Sequence, residues 1–257
     1  MHHAKGLLRQ VTQLQDEMLA YGGGLRGRVR MFANTTAVSD FLPEILSPFL
    51  IANPRVNVEL KEMSNTEVAR GVLEGRADLG IVSGPMEIPG LEAIHFSTDR
   101  LVLVVPHGHP LSPLRQLSFA DTLEHNHVGM HTGSTLHEFL NQVTHELGLS
   151  LKLRIQVNSF DAMCRLINAG VGIGIVPESV AKRCQQQLPI ALVGLTDAWS
   201  VRKRHIVFRD AAKLPSYAQT LVAAIVAHYP TASPPWAPPP ALPPTPPKSP
   251  HAQPTPR

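Results

Sequence analysis

The stretch Asn168–Ser179, NAGVGIGIVPES, sets glycines at 170, 172 and 174, follows them with Ile175 and Val176, and closes on Pro177. A nucleotide-binding loop is one reading, and it fails on order. The dinucleotide fingerprint runs strand, glycines, helix. Here the helical pattern SFDAMCRLINAG precedes the glycines, and the strand pattern VGIGIVP follows them. A second stretch, Glu74–Gly84, EGRADLGIVSG, has the same grammar. Gly-Ile-Val recurs at Gly80-Ile81-Val82 and Gly174-Ile175-Val176, each time after an amphipathic segment. The repetition predicts two similar α/β units. In each, a helix ends at a glycine-rich turn and feeds a short buried strand, and the glycines of 169–174 let helix and strand approach closely.

The rest of the chain builds outward from these two points. GRVRMFANTT alternates as a strand, with Val29, Met31 and Ala33 opposed to Arg28, Arg30 and Phe32. AVSDFLPEILSPFLIANP carries a helical face of Phe41, Leu42, Ile45, Leu46, Phe49 and Leu50. Ser39 suits its N-cap, Pro43 its first turn, and Pro48 predicts a kink or a split. RVNVELKEM is a strand, and SNTEVARGVLEGR a helix with Val68, Val72 and Leu73 inward and Ser64 or Asn65 as cap. LEAIHFSTDRLVLVVPHGHPL supplies two further strands. The pattern then restarts: HVGMHTGS as strand, then STLHEFLNQVTHELG as a helix facing inward with Leu136, Phe139, Leu140, Val143 and Leu147 and stopped by Gly148. SLKLRIQVN is the next strand, before the second glycine turn. ESVAKRC, RKRHIVFRD and LPSYAQTLVAAIVAHY read as a short helix, a late strand and a final helix. Strand and helix in alternation predict mostly parallel sheets covered by helices. At the ends, KGLLRQVTQLQDEMLA (5–20) reads as a helix stopped by Gly22-Gly23-Gly24. In 230–257, thirteen of 28 residues are proline, which predicts an extended, disordered tail.

Composition narrows the function classes. With 257 residues and 43% apolar content, the chain can build a substantial core or two small ones. A formal charge of +3 does not by itself argue for a nucleic-acid surface, and the clusters Arg26/Arg28/Arg30 and Arg202/Lys203/Arg204 read as solvated strand ends. Cys164 and Cys184 form no Cys-x-x-Cys pair, and Cys164 reads as a small buried hydrophobe. No signal-peptide pattern and no run of eighteen apolar residues appear, so a cytoplasmic protein without a membrane span is expected. Ser134 lacks a nucleophile elbow, and the carboxylates fall mostly on faces expected to be solvated, so no catalytic set emerges. The thirteen histidines include no His-Glu-x-x-His helix and no cysteine partner. They read as surface or cap residues; no metal and no cofactor is expected.

In open α/β sheets the usable crevice lies beyond the carboxyl ends of the strands. Two facing units would enclose a cleft there. The first contributes Asn34, Thr35 and Thr36, and the second His131, Thr132, Ser134 and Thr135, all between a strand and a helix. Ser83 and the pair Ser159-Phe160 sit at comparable ends. Hydroxyls and free N–H groups at helix N-termini suit an anionic group such as a carboxylate. Helix capping is the competing account of Thr36, Ser39, Thr132 and Ser134.

Taken in order, GRVRMFANTTAVSDFLPEILSPFLIANPRVNVELKE, VLEGRADLGIV with Asp78, VVPHGHPL and NAGVGIGIVPES resemble the effector-binding domain of LysR-type transcriptional regulators, over about Leu7 to Tyr229. The resemblance implies an α/β, two-lobed, periplasmic-binding-protein-like fold. Each lobe would be a mostly parallel sheet flanked by helices, and two crossover strands would join the lobes. Lobe 1 would take residues 28–104 and 204–229, lobe 2 residues 105–203, and residues 1–24 would be the remnant of a linker and dimerisation helix. A small effector, such as a small carboxylate or aromatic acid, would lie near Thr35, Thr36, Thr132 and Ser134. A homodimer or homotetramer would contact promoter DNA through a winged helix-turn-helix that these residues do not include. A free-standing solute-binding protein is the alternative, since it shares the cleft; an enzyme comes third.

Overall fold

The computed structural model describes residues 25–84 and 88–229. The expected helix over 5–20 and the proline-rich tail lie outside the described residues. The first unit runs β1 (Gly27–Ala33), α1 (Leu42–Ala52), β2 (Val56–Glu62), α2 (Asn65–Leu73) and β3 (Leu79–Ser83). The strand β4 (Glu92–Pro106) follows, then the two-residue β5 (Gln116–Leu117). The second unit runs β6 (His127–Met130), α3 (Thr135–Glu146), β7 (Leu153–Val157), α4 (Phe160–Asn168) and β8 (Gly174–Pro177). The chain ends with α5 (Glu178–Gln185), β9 (Ile190–Leu195), β10 (Val201–Phe208) and α6 (Ser216–His228).

The duplication read from the two glycine turns is present in the strand pairing. In the first unit β1 lies between β2 and β3, parallel to both. In the second, β6 pairs parallel with β7 and bridges in parallel, His127 to Ile173, to the residue before β8. The turns also match bond for bond. Gly75 N–H donates to Val72 O and Arg76 N–H to Gly71 O; Gly170 N–H donates to Ile167 O and Val171 N–H to Leu166 O. Each is a helix C-terminus closed by a left-handed residue, with φ +69° at Gly75 and +78° at Gly170, a conformation that glycine adopts at least cost.

The sheets are mixed rather than mostly parallel. The largest has the order β2-β1-β3-β10-β4-β9-β5, with β8 also against β4. Every pairing that β4 or β10 makes is antiparallel. These two strands run between the lobes. β4 pairs with β10 over Glu92–Arg100, then with β8 and β9 over Leu101–Pro106. Two separate strands were expected in this stretch. The polar residues Thr98, Asp99 and Arg100 are the mid-strand point where β4 changes partners, so they are no turn. β9, which the strand–helix alternation does not call for, completes the second lobe.

Helices cover both faces of the sheet in each lobe. In the first, Val29, Met31, Leu79 and Ile81 meet Phe41, Leu42, Ile45 and Phe49 of the α1 region and Leu221 and Ile225 of α6. On the opposite face Phe32 and Val207 meet Val68 and Val72 of α2. In the second lobe the sides of β4 divide: Val102 and Val104 pack with Phe160, Met163 and Ile167, whereas Leu101, Leu103 and Val105 pack with Phe119, Leu140 and Val143. Cys164 and Cys184 are buried free thiols. Leu73 and Leu147, expected inward, are exposed at their helix ends, where each inward stripe has run out. Pro48 does not split α1. The Glu44 carbonyl that its missing N–H would have met is on an exposed residue, beside exposed Ser47, and water can satisfy it. The irregular turn lies upstream, as a π-helical turn over Ala37–Phe41. Ser39 is not a cap; it lies inside that turn and its hydroxyl donates to Thr35 O at 2.5 Å.

Candidate functional site

A cleft opens where the lobes meet, lined by Asn34, Thr36 and Ser83 from one side, Thr135, Leu136 and Pro177 from the other, and Asp99, Arg100, Leu101, Arg202 and Arg204 from the two connecting strands. Counting space open to solvent, the empty volume between these residues is about 380 Å³. Four of the nine residues expected from the sequence line it: Asn34, Thr36, Ser83 and Thr135.

Their chemistry differs. Asn34 is buried and fully committed. Its Oδ1 accepts from Ala37 N–H at 3.0 Å, capping the π-helical turn, and its Nδ2 donates to Asn65 Oδ1 and Ser83 Oγ at 3.0 and 3.1 Å. Asn65 donates from Nδ2 to Ser83 O at 2.7 Å and receives Ser83 N–H at 3.3 Å, so these three residues brace one wall. The helix cap at this point is Ser64, in a reciprocal pair with Glu67, which leaves the Asn65 side chain free to hold Asn34 and Ser83. Asn65 N–H also crosses between lobes to the Thr135 hydroxyl at 3.0 Å. Thr36 makes no side-chain capping bond and lines the cavity.

The other expected residues are elsewhere. Thr35 is buried and gives its hydroxyl to Glu62 at 2.7 Å. Ser134 is buried as the N-cap of α3, accepting from His137 N–H at 3.2 Å. Thr132 is exposed and lies 3.5 Å from Gln156 Nε2. His131 is half-buried, its Nδ1 without a hydrogen bond among the described residues. Phe160 is 2% exposed and belongs to the core of the second lobe, because the first inward position of α4 must pack against β4.

The connecting strands carry what the sequence pattern hid. Arg202 and Arg204, read as part of a solvated cluster, point inward, and only Lys203 between them is exposed. Arg204 is 4% exposed. It pairs with Asp99 and, at 3.3 Å, with Asp40, and its guanidinium lies 4.6 Å from the centre of the Phe41 ring. Asp40 also takes Arg183 of α5 at 2.7 Å, and the Ser179 hydroxyl is shared between Asp40 and Asp99 at 2.6 and 2.7 Å. Two carboxylates and two guanidiniums thus close a neutral cluster that ties α5 to the first lobe. Arg202 is different. Its Nη2 donates to Ser83 O at 3.0 Å, and its guanidinium stacks 4.1 Å from the centre of the Phe139 ring. Burial lowers its pKa to about 10. Arg202, Lys203 and Arg204 are consecutive charges, so the pattern of types did not mark the inward pair, although a strand sends 202 and 204 to one face.

Among the described residues no group of three or more His, Cys, Asp or Glu is placed to hold a metal, and no helix is long and apolar enough to cross a membrane. The family model described as the LysR substrate binding domain matches residues 22–230. A probable RuBisCO transcriptional regulator of Emiliania huxleyi is 26% identical over 183 residues, 69% of this chain and 57% of that protein. An uncharacterized HTH-type transcriptional regulator of Methanocaldococcus jannaschii is 27% identical over 216 residues, 83% of this chain and 73% of that protein. The first of these relatives is therefore spanned over little more than half its length. Among solved structures, the CcmR regulatory domain of Synechocystis PCC6803 in complex with 2-PG superposes with a TM-score of 0.68 at 21% identity, over 79% of this chain and 98% of that one. The BenM effector binding domain with its effector benzoate gives 0.63 at 22% identity, over 81% and 96%. At such identities these two establish likeness of fold.

Proposed function

The chain belongs to the LysR substrate binding domain family, and from that premise we propose that it is the ligand-sensing and oligomerising region of a LysR-type DNA-binding transcriptional regulator. A small carboxylate or aromatic acid occupies the cleft between the lobes. The observation that carries this reading is the cleft itself, where Thr36 and Thr135 begin helical segments on opposite walls and Leu101, Leu136 and Pro177 add apolar surface. Benzoate and the QuiR ligand shikimate, carried by two of the similar folds, are both carboxylates, which supports the ligand class. A ligand here biases the protein between arrangements only as far as it binds one of them better. The chain acts as a homodimer or homotetramer, and promoter DNA is contacted through a winged helix-turn-helix outside these 257 residues.

The test is a calorimetric and thermal-shift screen of small carboxylates and their neutral analogues on the purified chain, with Leu136→Trp to fill the cleft. Saturable binding that the tryptophan abolishes is expected. Binding indifferent to Leu136→Trp, or none across the screen, would refute the reading.

A further inference from the structure

Three arginines line the cleft, and they are not equivalent. Arg204 is neutralised by Asp99 and Asp40. Arg100 is exposed, stands opposite Val201 in the strand register, and can be screened by water. Arg202 has no carboxylate partner among the described residues. Its Nη1 is sealed from solvent without a hydrogen bond, while Nη2 meets only the neutral carbonyl of Ser83. Space for the guanidinium is kept by Gly84, where a Cβ would stand 2.7 Å from Nη2. Burial depresses the pKa to about 10, so the group still carries its charge at neutral pH. A half-buried cation with neutral partners alone is costly, and here it stands at the lobe junction, between Ser83 of β3 and Phe139 of α3.

We propose, resting on the effector-binding reading above, that Arg202 determines the charge specificity of the cleft: its guanidinium takes the oxyanion of a small carboxylate or organic phosphate. The planar fork of donors matches such an anion in a way that a carbonyl and a ring do not. Leu101, Leu136 and Pro177 receive the apolar body of the same ligand. Nη1 is closed off as the cleft stands, so an anion reaches it only as the groups packed around it shift. An anion paired in the plane of the guanidinium leaves its face to the Phe139 ring, so pairing and stacking are compatible.

The experiment titrates wild type, Arg202→Gln, Arg202→Lys and Leu136→Trp with benzoate, shikimate and phenyl phosphate, and with neutral benzamide and benzyl alcohol, by calorimetry. The expected result is a loss of anion affinity of roughly ten- to a hundredfold in Arg202→Gln, with the neutral compounds unchanged and Arg202→Lys in between. A residue that merely props Ser83 would weaken both classes alike, which would overturn the proposal. So would anion binding in Arg202→Gln equal to wild type. If that binding is still abolished by Leu136→Trp, the cleft remains the site and only the role of Arg202 falls; if no compound binds wild type, both fall. Circular dichroism checks the fold of each variant. Should the glutamine variant not fold, Arg202→Lys decides alone: anion affinity equal to wild type overturns the proposal, and a selective loss for the anions supports it.

Discussion

At the scale of single residues, the buried polar groups set how stability responds to conditions. His127 is 1% exposed, contacts Thr122 Oγ1 at 3.2 Å from Nε2, and has its Nδ1 3.0 Å from His125 O. Burial first, and then the neighbouring His125 charge, lower its pKa from 6.5 to about 4 against the opposing backbone hydrogen bond. On acidification the unfolded chain takes up the proton first. The contribution of His127 is therefore complete above about pH 6.5 and is lost as pH falls from there through about 4, a change of about 3 kcal/mol. Urea unfolding at a series of pH values should show this slope, and His127→Gln should flatten it. An unchanged slope in the variant would assign the pH dependence to other groups, such as His109 and His205, whose pKa values burial also lowers. The Arg204 cluster makes a second prediction. Arg204→Ala leaves Asp99 buried against Asp40 with only Ser179 between them, and should cost about 3–5 kcal/mol. Denaturant midpoints check it; a loss under about 1 kcal/mol would mean that water or Arg183 takes over.

Among the elements, the two glycine turns carry different burdens after the same start. Both close a helix at a left-handed residue, and both then bring a strand under that helix. In the second copy the approach is closest at Gly174, where a Cβ would lie 2.3 Å from Met163 Cε and 2.8 Å from the Val128 carbonyl oxygen. The methionine can yield, but the carbonyl belongs to the neighbouring strand. Gly174→Ala should cost about 1–3 kcal/mol by overpacking. Gly170→Ala meets open space and should cost about 1–2 kcal/mol, through its backbone conformation alone. Thermal melts of the two variants check both values, and Met163→Ala should not restore Gly174→Ala, because the Val128 carbonyl stays in place. The repeated Gly-Ile-Val was legible because a turn of this kind needs glycine at one backbone position and a close crossing needs it at another. Both needs are local. The single β4 was not legible, because its continuity depends on β10, which joins it from about a hundred residues further along the chain.

For the whole molecule, the lobes are held by few but specific groups: the Asn65–Thr135 bond, the Arg202–Phe139 stack, and the Asp40–Arg183 pair with Ser179 beside it. Each joins residues that are far apart in sequence, and each lies at or beside the cleft, so occupancy and lobe arrangement share the same atoms. A formal charge of +3 does not by itself argue for a surface that binds the phosphate backbone. These 257 residues alone are accordingly expected to give no sequence-selective shift of the cognate promoter in a gel assay. Tight, selective binding by them would refute the assignment of DNA contact to a segment outside them.

Period and punctuation along the chain, by themselves, determined the two α/β units, the helix-ending glycines and the strand–helix junctions at Asn34–Thr36 and Ser134–Thr135, because hydrophobic spacing and backbone conformation are local properties. Only the tertiary structure decided which polar groups at those junctions remain available. Thr35 was spent on Glu62, Ser134 on its own helix and Phe160 on the core, while Arg202, Arg204, Asp99 and Asp40 entered the lobe junction. A side chain's availability depends on what the rest of the fold brings against it, and those neighbours come from distant parts of the chain.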